Sequence, residues 1–152
     1  MKKFRFPLER VRAWRRVCWE REEDRLEKAQ FDLRRLQQSR QDLHATAERE
    51  AARLVGQPSL SSRDLASLEH LRVYVREEDR RIAEQCEKAR LAVDQQRRLV
   101  LDARREYEAV EKLRERQFQG WQVQADRDEA VKIGELAIAR WRQRSIPPKD
   151  EM

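Results

Sequence analysis

Proline and glycine are scarce in this chain, and that scarcity excludes most folds. The prolines are Pro7, Pro58, Pro147 and Pro148, and the glycines are Gly56, Gly120 and Gly134. Proline removes a backbone donor and clashes with the preceding turn, so long stretches without it sustain uninterrupted helix. Long apolar runs are missing too: none approaches the roughly 20 residues that cross a bilayer. The opening Met1-Lys2-Lys3-Phe4-Arg5-Phe6-Pro7 has basic residues but no apolar stretch behind them, so no secretory signal is expected and the expected compartment is the cytosol. The two cysteines, Cys18 and Cys86, fall on different helical stretches. They read as small hydrophobes and not as a disulfide, which a reducing compartment does not need. No glycine-rich phosphate loop, nucleophile elbow or paired metal motif occurs. His44, His70, Cys18 and Cys86 are too scattered to form a zinc site. Enzymatic activity, a metal and a cofactor are therefore not expected.

What is abundant is charge. Charged residues make up 42 % of the chain and hydrophobic residues 39 %, too polar for a compact globule and too apolar for a disordered chain. Such a composition with apolar periodicity marks a coiled coil. The formal net charge of +6 is unevenly placed. Residues 1–21 hold eight basic side chains against Glu9 and Glu20, and the remainder balances. A general polyanion binder would be basic throughout. A single basic end instead suggests an acidic partner met at that end.

The pattern predicts an all-α fold, an antiparallel two-helix coiled-coil hairpin forming one domain. The expected elements are a first helix over 7–55, a turn at 56–60, a short tip helix over 61–72, a second helix over 75–145 and a tail at 146–152. Pro7 suits a first helical position, and Gly56 suits a left-handed cap with Pro58 beyond it. The first stripe runs Trp19, Leu26, Ala29, Leu33, Leu36, Leu43, Ala47 and Leu54 in steps of three and four, with Arg40 filling one slot. Ser61 and Asp64 have capping-box spacing. The poor helix formers Val73-Tyr74-Val75 suggest a break. Beyond them one heptad position reads Val75, Ile82, Ala89, Gln96, Ala103 and Val110, and the other Asp79, Cys86, Val93, Val100 and Tyr107. The seam fades from Arg114 to Asp128, and Ile133, Leu136, Ala137 and Trp141 start a new face. A first helix of about 50 residues is shorter than the second, at ~1.5 Å rise per residue. The second helix should therefore project past the first.

Two candidate binding surfaces follow. Phe4, Phe6, Trp14, Trp19, Phe118, Trp121 and Trp141 gather near the open end with Arg12, Arg15 and Arg16. Trp19 and Trp121 can simply close the seam, but the others are harder to bury between two helices, and aromatics with arginines are enriched in interfaces. At the turn end, Leu43, Ala47, Leu68 and Tyr74 lie among leucines with little charge. They form either a self-packed cap or a site for amphipathic helices.

At this point the residues carry a family resemblance. The opening Phe4-Arg5-Phe6-Pro7-Leu8-Glu9-Arg10-Val11 resembles that of the flagellar export protein FliJ family. So does the C-terminal block: Glu111-Lys112-Leu113-Arg114-Glu115-Arg116, then Trp121, Arg127 and Glu129, then Gly134-Glu135-Leu136-Ala137 and Arg140. Gly134 stands where that family's pattern has Asp, which puts a helix-softening residue there. The resemblance implies a cytoplasmic coiled-coil component of flagellar type III export, serving motility and similar to the stalk subunit of rotary ATPases. Its implied partners are the hexameric export ATPase, the cytoplasmic domain of the export gate protein, and export chaperones. The chain would associate with the inner-membrane apparatus through protein contacts. By resemblance, Phe4, Phe6, Leu8, Arg127, Glu135 and Arg140 belong to the ATPase-facing end, and charge adds Arg12, Arg15 and Arg16. Leu43, Ala47, Leu68 and Tyr74 suit gate or chaperone contacts, although no motif assigns them. Two other readings compete: a nucleic-acid-binding hairpin, whose binding would fall steeply with salt, and a generic homodimeric coiled coil.

Overall fold

The computed structural model describes residues 2–145, and the expected tail at 146–152, with Pro147 and Pro148, lies outside the described residues. The fold is an all-α helical hairpin: two long helices, α1 (Glu9–Val55) and α2 (Ser62–Ser145), pack against each other.

Local chemistry explains most of the helix ends. At the start of α1 the Glu9 N–H donates to the Phe6 carbonyl (3.2 Å) and the Arg12 N–H to the Leu8 carbonyl (2.9 Å). Pro7 therefore sits in the entry turn, where its missing donor leaves no gap in the ladder. At the other end the structure corrects one expectation. No described glycine has a positive φ, so Gly56 is not a left-handed cap. Its N–H donates to the Ala52 carbonyl (2.9 Å) and continues the helical ladder; Gln57 then bonds Leu54 at 3.5 Å, and Pro58, without an N–H, ends the run.

Helix α2 opens on the expected capping box. Asp64 N–H donates to Ser61 Oγ (3.2 Å), while the Ser61 N–H and hydroxyl both donate to Asp64 Oδ2 (2.9 Å each). These bonds hold the Asp64 carboxyl below its ordinary pKa. The separate tip helix over 61–72 is not seen: α2 runs unbroken from Ser62 to Ser145. Each β-branched residue in Val73-Tyr74-Val75 costs the helix only a few tenths of a kcal/mol. Leu68, Leu71, Val75 and Ile82 are all half-buried on one stripe, and tertiary packing of that stripe outweighs propensity.

The chain divides into two compact units. In Arg16–Arg105, Leu26, Leu33, Leu36, Leu43, Ala47 and Leu54 of α1 and Ile82, Cys86, Ala89, Val93, Val100 and Ala103 of α2 turn inward. Only Val93 is fully enclosed, at 2 % exposure. Two helices can enclose side chains only between themselves, so most seam positions stay half-buried. The polar exceptions in the seam meet one another. Arg40 donates to both carboxylate oxygens of Asp79 (2.6 and 3.0 Å), and His44 Nε2 bonds Asp79 Oδ1 at 2.7 Å. Gln96 donates to the Glu22 carbonyl (3.0 Å) and to its carboxylate. Rising numbers on α1 match falling numbers on α2, which makes the pairing antiparallel.

The other unit comprises Met1–Arg15 and Glu106–Met152. Here the first turns of α1 lie against α2, and the non-helical residues 2–6 continue along it. Phe6 is enclosed, at 8 % exposure. From Asp126 to Ser145 every residue of α2 is exposed. The fading heptad is thus where α2 runs beyond its partner.

Candidate functional site

In the unit that contains both the N-terminal segment and the last turns of α2, the aromatics form a cluster. Phe4 meets Phe118 edge-on (5.3 Å between ring centres) and Trp121 at a tilt (6.0 Å), and Phe118 stacks on Trp121 at 5.8 Å. The Arg114 guanidinium lies 5.9 Å from the Phe4 ring. Geometries of this kind contribute about 0.5–1.5 kcal/mol per aromatic pair beyond the area buried. They hold residues 2–6 against α2 without any regular backbone ladder.

Next to this cluster runs an ion-pair network. Arg12 donates through Nε and Nη2 to the two oxygens of Glu111, the second bond being 3.3 Å. Its Nη1 reaches Glu9 at 3.0 Å, and Arg114 approaches the same Glu9 at 3.8 Å. Arg15 pairs with Glu106. The paired guanidinium of Arg12 holds the Glu111 carboxyl below the usual carboxylate range, and Glu111 in turn raises Arg12. This arrangement changes the meaning of the basic N-terminus. Arg12 and Arg15 spend their charge on α2, so less of the excess faces outward than the sequence suggests.

An open groove of ≈ 1240 Å³ lies between the N-terminal segment and α2. It is lined by Lys2, Lys3 and Arg5 on one side and by Trp121, Asp128, Glu129 and Lys132 on the other. Beyond it stand exposed apolar side chains: Val131 (59 %), Ile133 (61 %), Leu136 (62 %), Ile138 (55 %) and Trp141 (68 %).

The residues assigned to this end therefore divide. Phe4 and Phe6 face inward and shape the site, while Leu8 is partly exposed. Arg12 and Arg15 are ion-paired. Arg127, Glu135 and Arg140 are exposed on α2. Arg16 belongs to the other unit, where it pairs with Glu20 at 3.1 Å. Sequence reasoning missed Glu9, Glu106 and Glu111 as the partners of the arginines. Glu106 and Glu111 were visible as acidic residues of α2, but only the register shows which arginine each one meets.

In the Arg16–Arg105 unit, Leu43, Ala47 and Tyr74 come together with Leu71, Val75 and Ile82 around a shallow groove of ≈ 330 Å³. Leu68 is half-buried and does not line it. The Asp79 carboxyl in this unit is pulled down to about 2, by Arg40 first and then by His44. Among the described residues no group of three or more His, Cys, Asp or Glu side chains could hold a metal ion. No described helix is long and apolar enough to cross a membrane.

The family model described as FliJ, flagellar FliJ protein, matches residues 4–145. No curated protein and no solved structure matches the chain.

Proposed function

Because the chain belongs to the flagellar FliJ family, a family of flagellar export-associated proteins, we propose that it acts as the stalk of the export ATPase. In this reading it performs no covalent chemistry. The end that carries residues 2–15 and the last turns of α2 docks in the ATPase ring, and the hairpin couples the ring to the export gate. The observation that carries the reading is the bare end of α2. Twenty consecutive residues from Asp126 to Ser145 are exposed, including Trp141 at 68 %. An exposed apolar stretch of this kind marks a surface meant for another protein. Arg127, Glu135 and Arg140 offer both signs of charge beside it, so a rotating stalk meets different ring subunits with different affinity. Only such differential affinity shifts a conformational equilibrium.

The groove lined by Leu43, Ala47 and Tyr74 is the proposed contact for the gate protein or for export chaperones, because it is apolar, open and suited to an amphipathic helix. The proposed location is cytoplasmic, at the inner-membrane apparatus and held there by protein contacts. The nucleic-acid reading is weakened by the pairing of Arg12 and Arg15 with glutamates.

The test is ATPase turnover and hexamer assembly with and without the protein. Both are expected to rise, and Arg127→Ala is expected to blunt the effect. No binding to the ATPase and no change in either quantity would overturn the stalk reading. Binding to oligonucleotides that falls steeply with salt would favour the alternative.

A further inference from the structure

We propose that the bare face of α2 from Val123 to Arg144 pairs with the same face of a second copy of this chain, the two helices running antiparallel. Val123, Arg127, Ala130, Gly134, Ala137 and Trp141 follow steps of four and three. At 100° per residue they fall within about 40° of one line on the helix. The groove residues Trp121, Ala125, Asp128 and Lys132, which face the N-terminal segment, lie on roughly the opposite side of the helix. The N-terminal segment therefore leaves the stripe uncovered. Val123 is 50 % exposed and Trp141 68 %.

Charge and size choose the occupant. The edge of the stripe carries Asp126 at one end and Arg140 at the other, two heptads apart, with Ile133 midway. An antiparallel copy centred near Lys132 places Asp126 beside Arg140 of the second copy, and the two-fold axis repeats that pair. Ile133 then meets its own twin. A parallel copy would turn this edge toward the opposite edge of the second helix, near Val131 and Ser145, and form neither pair, so the charges favour the antiparallel direction. In the same register Trp141 lies opposite Val123, and Gly134 opposite Ala130. Trp141 is thus met by the smaller Val123 and Arg127 by Ala137, and the backbones can approach where Gly134 meets Ala130, since nothing stands within 4 Å of a Cβ added at Gly134. Net charge agrees: Asp126, Arg127, Asp128 and Glu129 leave an acidic excess before the centre, and Glu135, Arg140, Arg142 and Arg144 a basic excess after it. Arg127 and Arg140 also belong to the proposed ATPase-docking end, so self-pairing and docking exclude each other. That exclusion rests on the stalk reading; the pairing does not.

The test is sedimentation of the full chain across the micromolar range. A reversible monomer–dimer equilibrium is expected. Arg140→Asp should weaken association about tenfold, because two attractive edge pairs become repulsive. Adding Asp126→Arg should restore it, an outcome that a general loss of helix would not produce. With Cys18→Ser and Cys86→Ser, the Ile133→Cys chain should cross-link to its own copy on mild oxidation. A chain that stays monomeric throughout, or a dimer indifferent to Arg140→Asp, overturns the proposal. A monomer that adsorbs to anionic vesicles through Trp141 also overturns it and assigns the face to lipid. If the dimer forms as described but excess ATPase fails to dissociate it, the pairing stands and the docking reading is the one that fails.

Discussion

Replacing Val93 by alanine tests whether the single seam holds the hairpin together. Val93 is the one described helical residue that is fully enclosed, at 2 % exposure. The change removes two methyl-sized groups, each worth about 0.8 kcal/mol of burial. A residual cavity adds up to about 1 kcal/mol, less where two helices can close over it. Alanine's better helix propensity returns about 0.5 kcal/mol. The expected net loss is about 1–2 kcal/mol. Val73 is the control, since it lies on the same helix but is 43 % exposed. There the propensity gain and the smaller burial loss nearly cancel, so Val73→Ala should change stability by under about 0.5 kcal/mol. Urea unfolding followed by circular dichroism at 222 nm reads both, with the midpoint shifting and the slope unchanged. If Val93→Ala costs no more than Val73→Ala, seam burial is not what stabilises the hairpin and the reasoning fails.

Other consequences follow from the polar contacts. The folded pKa of Asp79 is about 2, below its ordinary 3.8. Its ion pair therefore stabilises the fold above about pH 4, and that contribution is lost as pH falls toward 2. Asp79→Asn should flatten this part of an acid-unfolding curve, and an unchanged curve would count against the Arg40–Asp79 pair. Ser61→Ala removes the acceptor for the Asp64 N–H and should cost about 0.5–2 kcal/mol of stability by urea titration. Gly120 has nothing within 4 Å of an added Cβ, so Gly120→Ala should raise the melting temperature through about 0.5–1 kcal/mol of backbone entropy. A decrease would reveal a contact that the exposed position does not show.

The helical class, the antiparallel hairpin and the Ser61 cap were legible in the chain because each depends on local periodicity or on residues three apart. The site was legible only in part. Phe4, Phe6, Arg127, Glu135 and Arg140 could be singled out by resemblance, yet nothing in their spacing says that Phe4 and Phe6 turn inward while the other three face out. The basic run at 1–21 was visible, but the capture of Arg12 by Glu111 spans 99 residues of chain and depends on the register of two helices. Val73-Tyr74-Val75 misled for a related reason: intrinsic propensity is a matter of tenths of a kcal/mol, and the neighbouring stripe of half-buried side chains decided the backbone instead.

By itself, then, the amino-acid order determined where helix can form and which stripe of each helix is apolar, since those properties repeat at 3.6 residues and need no partner. Tertiary structure decided how the polar exceptions are matched. Arg40 and Asp79 each interrupt an apolar stripe, and they become mutually satisfied only when antiparallel packing brings them to 2.6 Å. Contact across a seam depends on register, and register is a property of two surfaces meeting.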